Sequence, residues 1–180
     1  MDVGVELKAL LLASPTWTLA VAESLTAGNV QARVAAISGA SNYFVGGITA
    51  YSLAQKVKHL GVDRVAAKRV NSVSSEVAAQ MARGACALFD SDVGLATTGY
   101  AEASPKNGVA DPFAWWAMAR RGARGKFNVR YGRVECPRCS RVDVQAIVAE
   151  AALAELVGWL RELRAGEPRR RAFGRAQQTR

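Results

Sequence analysis

Apolar and polar positions alternate along the first half of the chain in a pattern that predicts helices and strands in turn. Residues 4–13 have leucines and valines at helical spacing, and residues 17–22 form an apolar run typical of a buried strand. Alanine-rich helical spacing follows over 26–37, a strand over 46–52, and a short helix over 53–62. Strands that alternate with helices in this way predict a layered α/β domain.

The second half of the chain predicts a further helix and strand, then a hairpin and a long final helix. Ser74 is placed to cap the first of these helices, as Gly61 is placed to end the helix before it. The predicted segments are a helix over 74–89, a strand over 92–99, a loop over 101–112, antiparallel strands over 113–119 and 126–135, and a helix whose apolar stripe runs from 142 to 163. A hairpin after alternating elements predicts a mixed sheet.

The charge is concentrated at the C-terminal end. The net charge is +9, and residues 167–180 contain five arginines and one glutamate. Residues 1–165 are therefore predicted to form the domain, and 166–180 a basic, disordered tail that is either simply solvated or in contact with nucleic acid. The mild positive charge of the remainder also suits a small anionic substrate.

Composition excludes several classes of protein. No run of about 18 apolar residues occurs, and the N-terminus has no basic region before an apolar one, so neither a membrane span nor a signal peptide is predicted. Three cysteines do not make a disulfide framework, and we expect a cytoplasmic protein without membrane contact. The pair Cys136 and Cys139 is too few ligands for a closed zinc site, which favours local packing. We expect no metal and no cofactor.

The stretch "AESLTAG", residues 22–28, places two hydroxyls and a glycine at the end of a predicted strand. One interpretation is that Ser24 or Thr26 caps the next helix. The other is that the strand end binds an anion or exposes a nucleophile, as strand ends of α/β proteins often do.

Two more predicted strands end in polar residues, in "ATTGYA" and "TAYSLAQK". If these ends converge, a serine, the Lys56 amine and main-chain N–H groups lie together. His59 is the one histidine, next to Lys58 in a short helix, so a Ser–His–Asp triad is not expected. A Ser–Lys pair stays open, because a desolvated lysine can act as a base near neutral pH.

Four stretches, in order, resemble the C-terminal domain of the CinA family. They are "AESLTAG", "SGASNYFVGGITAYSLAQKVKHLGV", "VNSVSSEVAAQMARGA" and "ATTGYA". The likeness is close over residues 17–101 and looser to about 163, and it does not include the family's molybdopterin-binding-like module. It implies a three-layer α/β/α single domain with a mixed, partly parallel sheet. The family includes stand-alone amidohydrolases, called PncC, that deamidate nicotinamide mononucleotide.

The resemblance implies roles for the residues that match the motifs. Ser24 matches the serine expected to act as nucleophile, Ser41 a second motif serine, and Tyr51 and Lys56 the tyrosine and lysine of the third motif. Arg141 is a candidate phosphate contact, whereas Gln145 replaces a second expected arginine. The positions expected to bind substrate or an oxyanion are Thr26, Gly28, Thr98, Gly99 and Ala101, with Arg141.

This chain departs from the family pattern at several positions. Leu25 and Ala27 replace a cysteine and a glycine, and Ala114 with Trp115 replaces a Gly-Thr. The fourth motif should continue Gly-Pro-x-Gly-Gly but reads Glu102-Ala103-Ser104-Pro105-Lys106. A carboxylate in place of a glycine is unfavourable beside a phosphate. Trp115 and Trp116 are expected in the core or an interface rather than in base stacking.

Two functions follow. The first is an amidohydrolase in which Ser24 attacks a carboxamide carbon and Lys56 takes the proton, directly or through Ser41 or Tyr51. Its substrate would be a small nucleotide, nicotinamide mononucleotide, which it would convert to nicotinic acid mononucleotide and ammonia. The second is a catalytically altered or inactive nucleotide-binding or regulatory protein on the same scaffold. A homo-oligomer is compatible with either.

Overall fold

A five-stranded sheet forms the centre of the structure, a computed structural model that describes residues 2–166. The strands are β1 (Leu19–Glu23), β2 (Phe44–Thr49), β3 (Val93–Tyr100), β4 (Phe113–Arg121) and β5 (Phe127–Glu135). Their order in the sheet is β2-β1-β3-β4-β5. β1 is parallel to β2 and β3, whereas β4 is antiparallel to β3 and β5. The prediction of a mixed, partly parallel sheet is confirmed.

Helices cover both faces of the sheet. They are α1 (Val3–Leu12), α2 (Asn29–Ala35), α3 (Leu53–Leu60), α4 (Arg64–Arg69), α5 (Ser75–Phe89) and α6 (Arg141–Gly166). α1, α2 and α6 pack on one face, and α3, α4 and α5 pack on the other. Leu19 and Val21 of β1 point into the first layer, and Ala20 and Ala22 into the second, because side chains alternate along a strand. The three-layer α/β/α fold is therefore confirmed.

The ends of the helices follow from local chemistry. Ser74 Oγ accepts a hydrogen bond from Val77 N (3.2 Å) and caps α5, as the sequence predicts. Gly61 ends α3 in the left-handed conformation at φ 65°. The sequence analysis did not predict α4, which has only six residues and begins at the Asp63 cap. A helix this short has too few turns to show an apolar period.

Small residues let α5 lie close to the sheet. A Cβ on Gly94 of β3 would lie 2.1 Å from the main-chain oxygen of Ala82 in α5, so only glycine fits there. Since α5 runs back along the sheet and leads into β3, its N-terminus and the loop before it lie at the carboxyl ends of β1 and β3. That loop forms one wall of the cavity described below.

The sequence analysis also makes predictions about a C-terminal tail and about membrane-spanning segments. The predicted tail lies almost entirely outside the described residues, which end at residue 166. Within residues 2–166, none of the helices combines the length and apolar character needed to cross a membrane.

Candidate active site

A cavity of about 410 Å³ opens at the carboxyl ends of β1 and β3. Ser24, just after β1, and Lys56 of α3 line its inner part, together with Thr98 and Gly99 of β3. Arg141 lies at the start of α6 and lines it as well. Residues from four elements that are far apart in sequence thus meet at the carboxyl ends of the parallel strands, which is where open α/β sheets usually bind ligands.

Ser24 and Lys56 form a direct hydrogen bond inside this cavity. Lys56 Nζ donates to Ser24 Oγ over 2.8 Å and to the main-chain oxygen of Tyr51 over 3.1 Å. Ser24 is 7% exposed and Lys56 only 2%. Burial lowers the pKa of Lys56 from 10.5 to about 8. A neutral amine, which can accept a proton from the serine hydroxyl, is therefore accessible near neutral pH.

The backbone on both sides holds this pair in place. Ser52 Oγ caps α3, whose inward face carries Lys56 and Leu60 one turn apart. Ser24 N donates to the Thr97 oxygen over 3.0 Å, which extends the pairing of β1 with β3 by one residue. The hydroxyl is thus fixed by the sheet and the amine by the helix.

Glu23 anchors the turn that carries Ser24, a role that sequence reasoning missed. Its carboxylate is fully buried and accepts hydrogen bonds from the N–H groups of Gly28, Val30 and Gln31 and from Gln31 Nε2, at 2.9 to 3.1 Å. A carboxylate at a helix N-terminus satisfies otherwise unpaired N–H groups. The signal was present in the sequence, since Glu23 is a charged residue that ends an apolar strand a few residues before a helix.

The loop before α5 is tied to β3 on the other side of the cavity. Thr98 Oγ1 donates to the Ser72 oxygen over 2.8 Å, and Asn71 Nδ2 donates to Tyr100 Oη over 3.0 Å. Both Asn71 and Ser72 have positive φ values, 48° and 61°. Thr98, predicted to bind substrate or an oxyanion, lines the cavity but uses its hydroxyl to hold this wall.

Arg141 lies at the mouth of the cavity between two partners. Its Nη2 donates to Tyr51 Oη over 2.6 Å, and its Nη1 pairs with Glu102 Oε2 at 3.0 Å. The neighbouring Tyr51 phenol, followed by the Glu102 carboxylate, raises the pKa of the Arg141 guanidinium. Glu102 was recognised as a departure from the motif, but its contact with Arg141 was not predicted.

The structure brings together seven of the ten predicted site residues. They are Ser24, Tyr51, Lys56, Thr98, Gly99, Ala101 and Arg141. It does not bring Ser41 to the cavity. Ser41 is exposed and precedes β2, whose start pairs with the start of β1. Ser41 therefore lies at the amino ends of these strands, whereas Ser24 lies at their carboxyl ends. A proton route through Ser41 is therefore set aside.

Thr26 and Gly28 also lie outside the cavity lining. The Thr26 hydroxyl is fully buried and hydrogen-bonded to Thr97 Oγ1 at 2.7 Å. The Gly28 N–H donates to Glu23, and its φ of 102° places the start of α2. Both residues shape the turn after β1 rather than face a ligand. The structure does not bring these two residues to the cavity, and their predicted roles in binding stay predictions.

The cysteines and the histidine stand apart from this chemistry. Cys136 is buried against Leu25 and Val144, and burial raises the pKa of its thiol. Cys139 Sγ lies 3.7 Å from the Pro137 oxygen, and His59 is half-buried in α3. Across residues 2–166, no group of three or more His, Cys, Asp or Glu side chains is arranged to hold a metal ion.

Comparison with known proteins gives the family. The model of the CinA C-terminal domain matches residues 5–160. The chain belongs to the CinA family. Among CinA relatives, a CinA-like protein from Chlorobium limicola is 35% identical over 156 residues, which are 85% of this chain and 36% of that protein. A CinA-like protein from Picosynechococcus is 48% identical over 91 residues, which are 51% of this chain and 22% of that protein.

Solved CinA structures share the fold. The competence-damaged protein (CinA) superfamily protein from Enterobacter cloacae matches with a TM-score of 0.79 at 26% identity, over 88% of this chain and 90% of that one. The competence damage-inducible protein A from Klebsiella pneumoniae gives 0.76 at 26% identity, over 89% and 96%. The chain therefore matches most of these solved chains, but only about a third or less of the length of the two curated relatives.

Proposed function

We propose that the chain is a hydrolase that removes ammonia from the carboxamide of a pyridine nucleotide, converting nicotinamide mononucleotide to nicotinic acid mononucleotide. The observation that carries the proposal is the 2.8 Å contact between Lys56 Nζ and Ser24 Oγ within a cavity open to solvent. A hydroxyl paired with a desolvated amine is the arrangement that a serine–lysine hydrolase requires. The carboxamide and the phosphate of the substrate come from the family resemblance.

In the first half of the reaction, Ser24 Oγ attacks the carboxamide carbon. The neutral Lys56 amine takes the hydroxyl proton, and the resulting ammonium gives it to the departing nitrogen, so that the C–N bond breaks and ammonia leaves. Burial, which lowers the pKa of Lys56 to about 8, makes the neutral amine available. The product of this half is an ester on Ser24.

The donor that we propose for the oxyanion is the main-chain N–H of Gly99. The Thr97 oxygen points towards β1, where it accepts from Ser24 N. Main-chain groups alternate in direction along a strand, so the Gly99 N–H points to the same side. The chain turns after Ser24, whose carbonyl accepts instead from Ala27 N, and the Gly99 N–H therefore lies beyond the paired part of β1. One such donor is worth about 3–4 kcal/mol in acyl transfer.

In the second half, water attacks the ester while Lys56 again takes a proton. Ser24 Oγ recovers that proton as the leaving group, and the carboxylic acid is released. Tyr51 contributes through its main-chain oxygen, which orients the Lys56 amine. Its phenol is bonded to Arg141, so the tyrosine links the catalytic pair to the mouth of the cavity.

The direct experiment is a coupled assay of ammonia released from nicotinamide mononucleotide. We expect turnover by the native chain and a fall to below about one-hundredth in Ser24→Ala and in Lys56→Met. The first matched control is Ser41→Ala, which removes an exposed hydroxyl at the amino ends of the strands. The second is Lys58→Met, which removes an exposed amine two residues after Lys56 in α3. Turnover that persists in Ser24→Ala would reject the proposal.

A second function, nucleotide binding without hydrolysis, is favoured by one observation. The guanidinium expected to meet a phosphate is already paired with the Glu102 carboxylate, which stands where the family motif has a glycine. This function predicts calorimetric binding of nicotinamide mononucleotide with no ammonia released. Loss of that binding in Arg141→Met, together with an inactive native chain, would support it over the hydrolase.

A further inference from the structure

Glu102 adds a negative charge to the mouth of the cavity. It lies just beyond β3, which ends at Tyr100, and among the described residues it is the one carboxylate that lines the cavity. The cations that line the same cavity are Lys56, Lys68 and Arg141. A carboxylate beside the guanidinium neutralises its charge and repels a phosphate, so it weakens phosphate binding at this site.

We infer that Glu102 is a specificity-determining residue that cancels most of the advantage a phosphate group would otherwise have at this site, so that a nucleoside carboxamide and its phosphate ester are hydrolysed with similar efficiency. The inference rests on the proposed function, because it names the substrate class of the same site. The nucleoside carboxamide to compare with nicotinamide mononucleotide is nicotinamide riboside, which differs from it only by the phosphate.

The argument depends on the geometry of the ion pair. Arg141 Nη1 and Glu102 Oε2 are 3.0 Å apart, so a phosphate that reaches this guanidinium either displaces the carboxylate or lies beside it. Displacement costs the ion pair, and lying side by side brings like charges together. A substrate without the phosphate neither breaks the ion pair nor brings a second negative charge next to Glu102.

The guanidinium stays at the cavity when the Glu102 charge is removed. Its Nη2 is held by Tyr51 Oη at 2.6 Å, independently of Glu102. In Glu102→Gln, therefore, the negative charge beside Nη1 is removed while the position of the arginine is kept, and the neutral amide oxygen left there is a weaker acceptor that a phosphate displaces more easily. In the native chain the charges of Arg141 and Glu102 neutralise each other at the mouth of the cavity. The variant leaves a net positive charge there, which favours binding of a phosphate.

The expected effect is moderate because both partners are partly exposed. The side chains of Arg141 and Glu102 are 43% and 62% exposed, so solvent screens their interaction. Removing one carboxylate charge near a phosphate dianion is then expected to change its binding by about tenfold at low ionic strength, and by less in high salt.

The experiment measures kcat/KM for nicotinamide mononucleotide and nicotinamide riboside in three proteins. In the native chain we expect the ratio of the two values to lie within about threefold of one, and in Glu102→Gln we expect it to rise about tenfold in favour of the mononucleotide at low salt. The rise should shrink in about 0.5 M salt. Glu150→Gln is the matched control. It removes the same charge from an ion pair with Arg33 between α2 and α6, and should leave the ratio as in the native chain.

Three results would overturn the inference: a native ratio that differs from one by much more than about threefold, a ratio in Glu102→Gln equal to that in the native chain, or an equal rise in Glu150→Gln. If the native chain releases no ammonia from either compound, the proposed function fails, and calorimetry with the same two compounds decides the inference by itself. Glu102→Gln should then bind the mononucleotide about tenfold more tightly relative to the riboside. Unchanged relative affinities would refute it.

Discussion

Lys56 and Ser24 are joined by a 2.8 Å hydrogen bond although 32 residues separate them in the chain. The amine is almost completely buried, and within the described residues it donates hydrogen bonds to two oxygen atoms, Ser24 Oγ and the main-chain oxygen of Tyr51. No carboxylate balances its charge in these contacts. The pair is therefore poised for proton transfer at a cost in stability, and both consequences can be measured.

The pH dependence of hydrolysis should report Lys56. The base form is the neutral amine, and burial lowers the pKa of Lys56 to about 8, so about one molecule in ten has the active form at pH 7. We expect kcat/KM for nicotinamide mononucleotide to rise about tenfold per pH unit below this value and to level off above it. A profile that falls between pH 7 and pH 9 would contradict this role.

Replacing the amine by an apolar group should stabilise the protein. Lys56→Met removes a buried group whose pKa falls from 10.5 to about 8 on folding, at the loss of two hydrogen bonds, and we expect a net gain of about 2 kcal/mol at pH 7 in urea unfolding. The unfolded chain holds a proton that the folded chain lacks between pH 8 and 10.5, so the unfolding free energy of the native chain should rise with pH in that window.

The difference between the two proteins isolates this effect from other groups that titrate in the same range. The stability advantage of Lys56→Met should shrink as pH rises through the window and be smallest above it. An advantage that stays constant from pH 7 to pH 10.5 would show that Lys56 titrates in the folded chain as it does in the unfolded one.

Loss of the Glu23 charge should weaken the turn that carries Ser24. Each oxygen of the carboxylate accepts two hydrogen bonds from the start of α2. An amide has one oxygen, so Glu23→Gln leaves two N–H donors facing its NH₂ group, and we expect a loss of about 2–3 kcal/mol in unfolding free energy. Glu155→Gln, an exposed site in α6, is the control and should change stability by less than about 0.5 kcal/mol. Equal effects of the two substitutions would refute the anchoring role.

The order of the elements was predictable because most of them bury a long apolar run or stripe. Errors arose where tertiary contacts compete with periodicity. Trp17 reads as part of a strand, but its ring packs in the core beside Arg164 while β1 begins at Leu19. The helix predicted from residue 26 begins at Asn29, because the Thr26 hydroxyl is bonded to Thr97 and Gly28 adopts positive φ.

The inner half of the site was predictable, as were Tyr51 and Arg141 at its mouth, but the ion pair between Arg141 and Glu102 was not. Ser24, Lys56 and Gly99 follow or flank strand ends, which the parallel topology brings together. Ser41 precedes β2, so the same parallel topology places it at the amino ends of the strands, away from Ser24. The pairing of Glu102 with Arg141 depends on the conformations of two long side chains 39 residues apart, which no pattern of residue types specifies.

Ala27 offers a test of backbone strain at the turn after Ser24. It is exposed and has a φ of 52°, a left-handed conformation that costs a residue with a Cβ about 1–2 kcal/mol. Glycine adopts this conformation freely but loses about 0.5–1 kcal/mol more conformational entropy on folding. We therefore expect Ala27→Gly to raise the unfolding free energy by about 0.5–1 kcal/mol, measured as a higher urea midpoint.

The matched control is Ala154→Gly, because Ala154 is exposed in the middle of α6, where glycine is unfavourable. It should lower the unfolding free energy by about 1 kcal/mol, so the same substitution is expected to have opposite signs at the two positions. A fall in the urea midpoint for both variants would mean that the turn at Ala27 is not strained. A rise for Ala27→Gly alone would show that a glycine, which the family motif has at this position, suits the turn better than the residue present in this chain.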